Sequence, residues 1–262
     1  EGTRETLSRL DRDAVAGFYR NHYRPKGAIF TIVGDIALSE VKDRILPRLS
    51  AWRPGQATVA ADVETRFANG PKIAREDRPI SQANIVMGHG GLRRKNPDYY
   101  AAVVMNRILG GGSLSSRLMT RIRIEKGLAY SVYSGFSAYR FPGTFQVVLQ
   151  TDNSSAAEAV NVVRGEMLRI QKEVVSEQEL ETAKKYLTGS FPLLLDTQSK
   201  LVSFLGQVVY YDLVLDYSVR YPSLIASVSR QDVRRAAQQY LRPDDLVISV
   251  VGDLEKIGDL KK

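Results

Sequence analysis

RDAVAGFYRNHYRPKGAIFTIVGD at residues 12–35 and RQDVRRAAQQYLRPDDLVISVVGD at residues 230–253 are two versions of one segment. They align without a gap, 218 residues apart, the separation of Asp35 from Asp253. Seven of the 24 aligned pairs are identical: Arg12/Arg230, Val15/Val233, Arg24/Arg242, Pro25/Pro243, Val33/Val251, Gly34/Gly252 and Asp35/Asp253. Both copies read as an amphipathic helix stopped by Arg-Pro, then a β-branched strand running into a Gly-Asp turn. In the first copy the helix covers 11–22, with Val15, Phe18 and Tyr19 on one face, and the strand covers 28–33. The chain therefore reads as the end of one domain followed by a second domain of the same kind. Residues 1–52 are the closing remnant of a first half. Residues 53–71, rich in Pro, Gly, Ala and charge, are a linker. Residues 72–262 are the second half.

Composition narrows the function classes. The 262 residues are 44% hydrophobic, ample for a packed core. No apolar run reaches the ~18 residues of a membrane helix, and EGTRETLSRL at the start holds no signal-peptide core. The absence of cysteine excludes disulfides, thiolate metal sites and cysteine nucleophiles. The net charge of +8 permits nucleic-acid binding, but the basic residues mostly alternate with acids, so no nucleic-acid partner is expected. The densest basic group, Arg117, Arg121, Arg123 and Lys126, lies on one short helix at about 115–126.

Further elements follow from period and punctuation. A helix over 38–49 is expected, capped by Ser39. Strands are expected near 72–76 and 82–88. Asn96-Pro97-Asp98 starts a helix with Asn96 as N-cap, and Gly110-Gly111-Gly112 stops it. Strands at 128–139 and 144–151 are joined by a turn at Phe141-Pro142-Gly143. A long helix over 155–174 turns Ala159, Val163, Met167, Ile170 and Val174 inward. Ser176 and Glu179 form a capping box for the next helix, and Glu177, Glu179 and Glu181 sit on its solvated first turn. Two helical stretches, 197–211 and 217–226, precede the repeated helix and the strand at 246–251. Strands and helices in groups suggest an α+β fold with a largely antiparallel sheet flanked by helices.

The chemistry-bearing motifs are few. The triple glycine lacks the Gly-Lys-Ser/Thr that would make it a phosphate loop. The two histidines, His22 and His89, have no carboxylate at ligand spacing, and neither H-E-x-x-H nor H-x-x-E-H occurs. This excludes a zinc site of that kind within the chain and disfavours a Ser-His-Asp triad. What remains is LGGGSLSSRLMTRIRIEKGLAYSVY at 109–133. Arg123 falls in the last turn of the short helix, Gly127 reverses the chain, and Tyr130 lies at the start of the strand. Such a hairpin could aim a guanidinium and a phenol at one space, as donors for peptide carbonyls or a developing oxyanion. On spacing alone, Arg123 could equally pair with a surface carboxylate and Tyr130 pack in the core.

That segment resembles the second-half signature of the pitrilysin-type zinc peptidases, the inverzincins that include insulin-degrading enzyme and mitochondrial processing peptidase. This chain carries that pattern as LGGG-x2-SSRL-x4-R-x3-GLAYSV over 109–132. The resemblance extends to GTRETL at 2–7, the RP…VGD strand at 24–35, NPDYYAA at 96–102, SEQELETAKKYL at 176–187 and SRQDVRRAAQQYL at 229–241. It implies the metallopeptidase-half fold. It also implies a division of labour. A first half carries H-x-x-E-H with zinc, and a second half, without ligands, supplies an arginine and a tyrosine seven residues apart. Here that pair is Arg123 and Tyr130, which the resemblance makes substrate-binding residues. The implied function is the non-zinc, substrate-binding half of a bacterial-type zinc endopeptidase, acting on peptides or small unfolded proteins and inactive alone. This chain would hold no catalytic residue of its own, no metal and no cofactor. Its partner would be a zinc-bearing first half, in the same polypeptide or a separate subunit. The alternative is a non-catalytic scaffold or partner subunit with the same fold.

Overall fold

The computed structural model describes residues 2–50, 52, 65, 67, 70–112 and 114–260. Most of the expected linker over 53–71 lies outside them. The main elements are helix α1 (Arg12–His22), strands β1 (Lys72–Asp77) and β2 (Gln82–Gly90), helix α2 (Tyr99–Leu109), a π-helix (Met119–Glu125), strands β3 (Ala129–Ser137) and β4 (Thr144–Asp152), helices α3 (Ala156–Lys172), α4 (Glu177–Ser190), α5 (Gln198–Tyr210), α6 (Tyr217–Ala226) and α7 (Arg230–Tyr240), and strand β5 (Val247–Gly252). They divide into two units. One comprises residues 1–63 with 194–214, the other residues 64–193 with 215–262. Among the described residues no helix is long and apolar enough to cross a membrane.

The second unit is built on one five-stranded sheet of order β1-β5-β2-β4-β3. Three of its pairings are antiparallel and only β1 with β5 is parallel, which makes the fold α+β with helices packed on the sheet. Alternation decides the faces, because successive strand side chains point to opposite sides. Ala83, Ile85 and Met87 of β2, Phe145, Val147 and Leu149 of β4, and Ile248 and Val250 of β5 are buried. Ala159, Val163, Met167 and Ile170 of α3 and Val233, Ala236 and Ala237 of α7 belong to the same core. The opposite face stays open: Asn84, Val86, Ser131, Tyr133, Gln146 and Gln150 are exposed. The Ser176–Glu179 capping box forms as expected.

His89 is buried on the core side of β2, with its ring stacked on Phe145 at 5.0 Å between centroids. Its Nε2 lies 3.1 Å from the Arg242 amide, which donates to it. The proton therefore belongs on Nδ1, which donates to the Gly90 carbonyl at 2.8 Å. Burial, partly opposed by the Gly90 bond, holds the imidazole below its ordinary pKa of 6.5. The unfolded chain binds the proton more readily, so this contribution to stability is complete above about pH 6.5 and is lost as pH falls below it. The urea midpoint should drop between roughly pH 7.5 and 5.5, and His89→Gln should flatten that drop. An equal drop in both chains would clear His89 of the effect.

The hairpin turn also behaves as its composition demands. A Cβ on Gly143 would stand 1.5 Å from the Ser137 carbonyl oxygen, while the Gly143 amide donates to Leu92 and its carbonyl accepts from Gly91. Gly143→Ala should therefore destabilise the second unit by about 1–3 kcal/mol through forced backbone movement, read as a lower thermal midpoint. No change would mean that the turn relaxes freely.

Four local expectations are corrected. Residues 28–33 form no strand, although their copy at 247–252 is β5. A strand needs a ladder, and among the described residues none runs beside 28–33; Thr31 Oγ1 instead reaches the Val202 carbonyl at 3.5 Å. Ser39 caps nothing, because the helix begins at Leu38 behind Ala37, and the stretch passes through a π-helical turn at Val41–Ile45 just before Pro47. Asn96 is not the N-cap of α2. Its side chain accepts from the Asp98 amide, and Asp98 takes the cap position. Val174 is exposed and Val175 buried, because α3 stops at Lys172 and Glu173 turns to extended backbone.

Candidate functional site

The π-helix, the reversal at Gly127 and the first residues of β3 together present the pair expected from the sequence. The backbone widens to an i→i+5 bond from the Lys126 amide to the Arg121 carbonyl, an irregularity that recurs at functional sites. Gly127 takes φ +62°, a left-handed conformation that favours glycine, and the Leu128 amide returns to the Ile122 carbonyl at 2.8 Å. Strand β3 then bulges between Ala129 and Ser131. Tyr130 is the residue left out of the ladder, and a bulge of this kind re-aims a side chain. Tyr130 is 80% exposed, so it is not a core residue. The Arg123 Cζ stands 4.4 Å from the centroid of its ring.

The surrounding charges isolate Arg123. Of the four basic residues on this segment, Arg117 holds Glu179 at 2.7 and 3.2 Å, Arg121 binds Glu125 and Glu166, and Lys126 binds Glu158 at 2.6 Å. Among the described residues no carboxylate pairs with Arg123. Its guanidinium lies against the aromatic face of Tyr130. Glu179, expected on a solvated turn, instead serves two masters: it caps Ser176 at 2.8 Å and braces Arg117. Burial alone would raise its pKa, but the Arg117 and Ser176 hydrogen bonds hold the carboxyl below its ordinary value. Glu166, buried on α3, ties Arg121 and Arg169 to the same scaffold. Sequence reasoning passed over these supports, since 62 residues separate Arg117 from Glu179 and 45 separate Arg121 from Glu166. The open sheet face that β3 borders was signalled by alternation; Asn84, Tyr133, Gln146 and Gln150 lie on it, with Lys72, Glu76 and Asp152 toward its margins.

No zinc site is formed among the described residues. Among the described residues no group of three His, Cys, Asp or Glu side chains could hold a metal. Both nitrogens of His89 are committed to backbone hydrogen bonds.

A five-stranded α+β unit with one open sheet face, an arginine–tyrosine pair beside its edge strand and no metal-binding group among the described residues fits a metallopeptidase-half fold. The family model described as the peptidase M16 inactive domain matches residues 9–187, and the chain belongs to that family. It is 29% identical over 206 residues to an uncharacterized zinc protease of Bacillus subtilis, covering 79% of this chain and 49% of that protein. It is 27% identical over 260 residues to a non-peptidase homolog of Helicobacter pylori, covering 97% and 59%. The crystal structure of a peptidase M16 inactive domain from Pseudomonas fluorescens superposes with a TM-score of 0.86 at 26% identity, covering 100% of this chain and 61% of that one. The chain thus spans about half to three-fifths of the length of these relatives.

Proposed function

We propose that this chain is the substrate-holding, non-zinc half of a zinc-dependent endopeptidase for peptides or small unfolded proteins, and that it is inactive alone. The observation that carries this reading is Arg123, without a carboxylate partner, lying over the exposed ring of Tyr130. An extended peptide offers carbonyl oxygens in place of the ring. The exposed cation–π contact is worth only about 0.5–1 kcal/mol, so Arg123 can exchange it for a charge-assisted hydrogen bond. Tyr130 Oη would then donate to the scissile carbonyl oxygen as negative charge develops on it. Water activation and the zinc belong, in this reading, to a first half in the same polypeptide or in a separate subunit. Residues 1–52, whose segment 12–35 repeats in sequence the closing segment at 230–253, are the end of that half. The test is reconstitution: this chain mixed with a zinc-bearing first half should cleave peptides, and neither part should do so alone.

A second reading is favoured by the relative named a non-peptidase homolog. In it the chain is a scaffold or partner subunit that keeps the fold without proteolysis. Substituting Arg123 and Tyr130 would then leave assembly intact and no cleavage would appear in any mixture.

A further inference from the structure

Between α2, β3 and α4, away from Arg123 and Tyr130, lies a cavity of about 240 Å³. Its walls include Leu92, Val103, Phe136 and Leu187, and Arg107 is the one charged side chain among the described residues that line it. Asn106 also borders it, but its amide is committed to Ser134, donating to the carbonyl at 3.1 Å and accepting from Oγ at 2.7 Å. Arg107 is only 8% exposed. Its Nη1 donates to the Gly111 carbonyl, and its Cζ lies 3.2 Å from the centroid of the Tyr186 ring. Unlike Arg117, Arg121 and Arg169, it has no carboxylate partner among the described residues. Burial lowers its pKa from the ordinary arginine value, against the influence of Tyr186. Burying a cation without a counter-charge is costly, and the Gly111 carbonyl with Tyr186 offsets only part of this. The arrangement is a buried arginine in the wall of a hollow whose remaining lining is mostly apolar, with Tyr99, Asn106 and Tyr186 as its other polar residues.

We propose that this cavity binds a small carboxylate with an apolar body, the carboxylate on Arg107 and the body against Leu92, Val103, Phe136 and Leu187. The size is suitable, since an apolar cavity of ~150 Å³ holds a benzene ring, and this one leaves room for a phenyl group on a short chain. The site is independent of the peptidase reading. Its ligand could be a free small acid or the C-terminal carboxylate of an apolar peptide, which share the same recognition chemistry.

Titration calorimetry on the 262-residue chain distinguishes the sources. The probes are 3-phenylpropionate, as the free acid, and acetyl-Leu-Phe with a free carboxylate, as the peptide end, each beside its amide. At least one acid should bind with a Kd at or below about 1 mM, and its amide at least tenfold more weakly. Arg107→Gln should weaken the acid at least tenfold, and Arg107→Lys should restore part of the loss. If Arg107→Gln fails to fold, Val103→Phe serves instead: one turn earlier on α2, it narrows the hollow while keeping the charge, and should abolish binding. Binding of the free acid alone, or of the peptide acid alone, supports the site and names its source; binding of both supports the site and places recognition at the carboxylate they share. Absence of binding by either acid, equal binding of acid and amide, or binding unchanged in the variants would overturn it.

Discussion

Tyr130→Phe should lower the peptide turnover of the reconstituted two-half enzyme by about 100-fold or more, with little change in KM. The loss of one donor to a developing oxyanion costs roughly 2.7–4 kcal/mol in the transition state. Before charge develops, the same hydroxyl meets only a neutral carbonyl, and a hydrogen bond of that kind contributes about 1 kcal/mol. The effect therefore belongs in kcat. Arg123→Ala should act differently. In the proposed role its guanidinium would hold a neighbouring carbonyl in ground state and transition state alike, so KM should rise more than kcat falls. Arg121→Ala is the control on the same π-helix, because Arg121 is occupied by Glu125 and Glu166. A loss below about tenfold for Tyr130→Phe, roughly 1.4 kcal/mol, would remove it from the oxyanion role.

Phe145→Ala should cost the second unit about 3–5 kcal/mol, a large share of the stability of a domain. Phe145 is fully buried on β4, which pairs on both sides. Its cross-strand neighbours are His89 on β2 and Phe136 on β3, with ring centroids at 5.0 and 4.9 Å. Truncation would open a cavity where three strands meet the helices, and the fixed pleat gives little freedom to close it. Val86→Ala, on the open face of β2, is the comparison and should cost within about 0.5 kcal/mol. Urea midpoints measure both. A Phe145→Ala cost below about 1.5 kcal/mol would show that the sheet can repack around the loss.

The elements visible in the sequence were those governed by local physics. Alternation in SQANIVMG marked β2 with its buried and open faces. Ser176 and Glu179 announced the start of α4, because a capping box is closed within three residues. Gly127 marked the reversal between the π-helix and β3. The spacing of Arg123 and Tyr130 was equally plain, but spacing left their surroundings open. The exposure of Tyr130 follows from a bulge, and the isolation of Arg123 follows from glutamates elsewhere in the chain capturing its basic neighbours.

The doubled segment marks the boundary between the two kinds of information. By itself the sequence determined that the chain carries two copies of one segment, an amphipathic helix, Arg-Pro, a β-branched run and Gly-Asp, because composition and period are properties of the segment alone. Only the tertiary structure decided that one copy becomes a strand and the other does not. Residues 247–252 lie between β1 and β2, which satisfy their amides and carbonyls on both sides. Residues 28–33 have the same β-branched character and no described strand alongside. A β-strand is completed by its neighbours' hydrogen bonds, and those neighbours come from distant parts of the chain that no local pattern specifies.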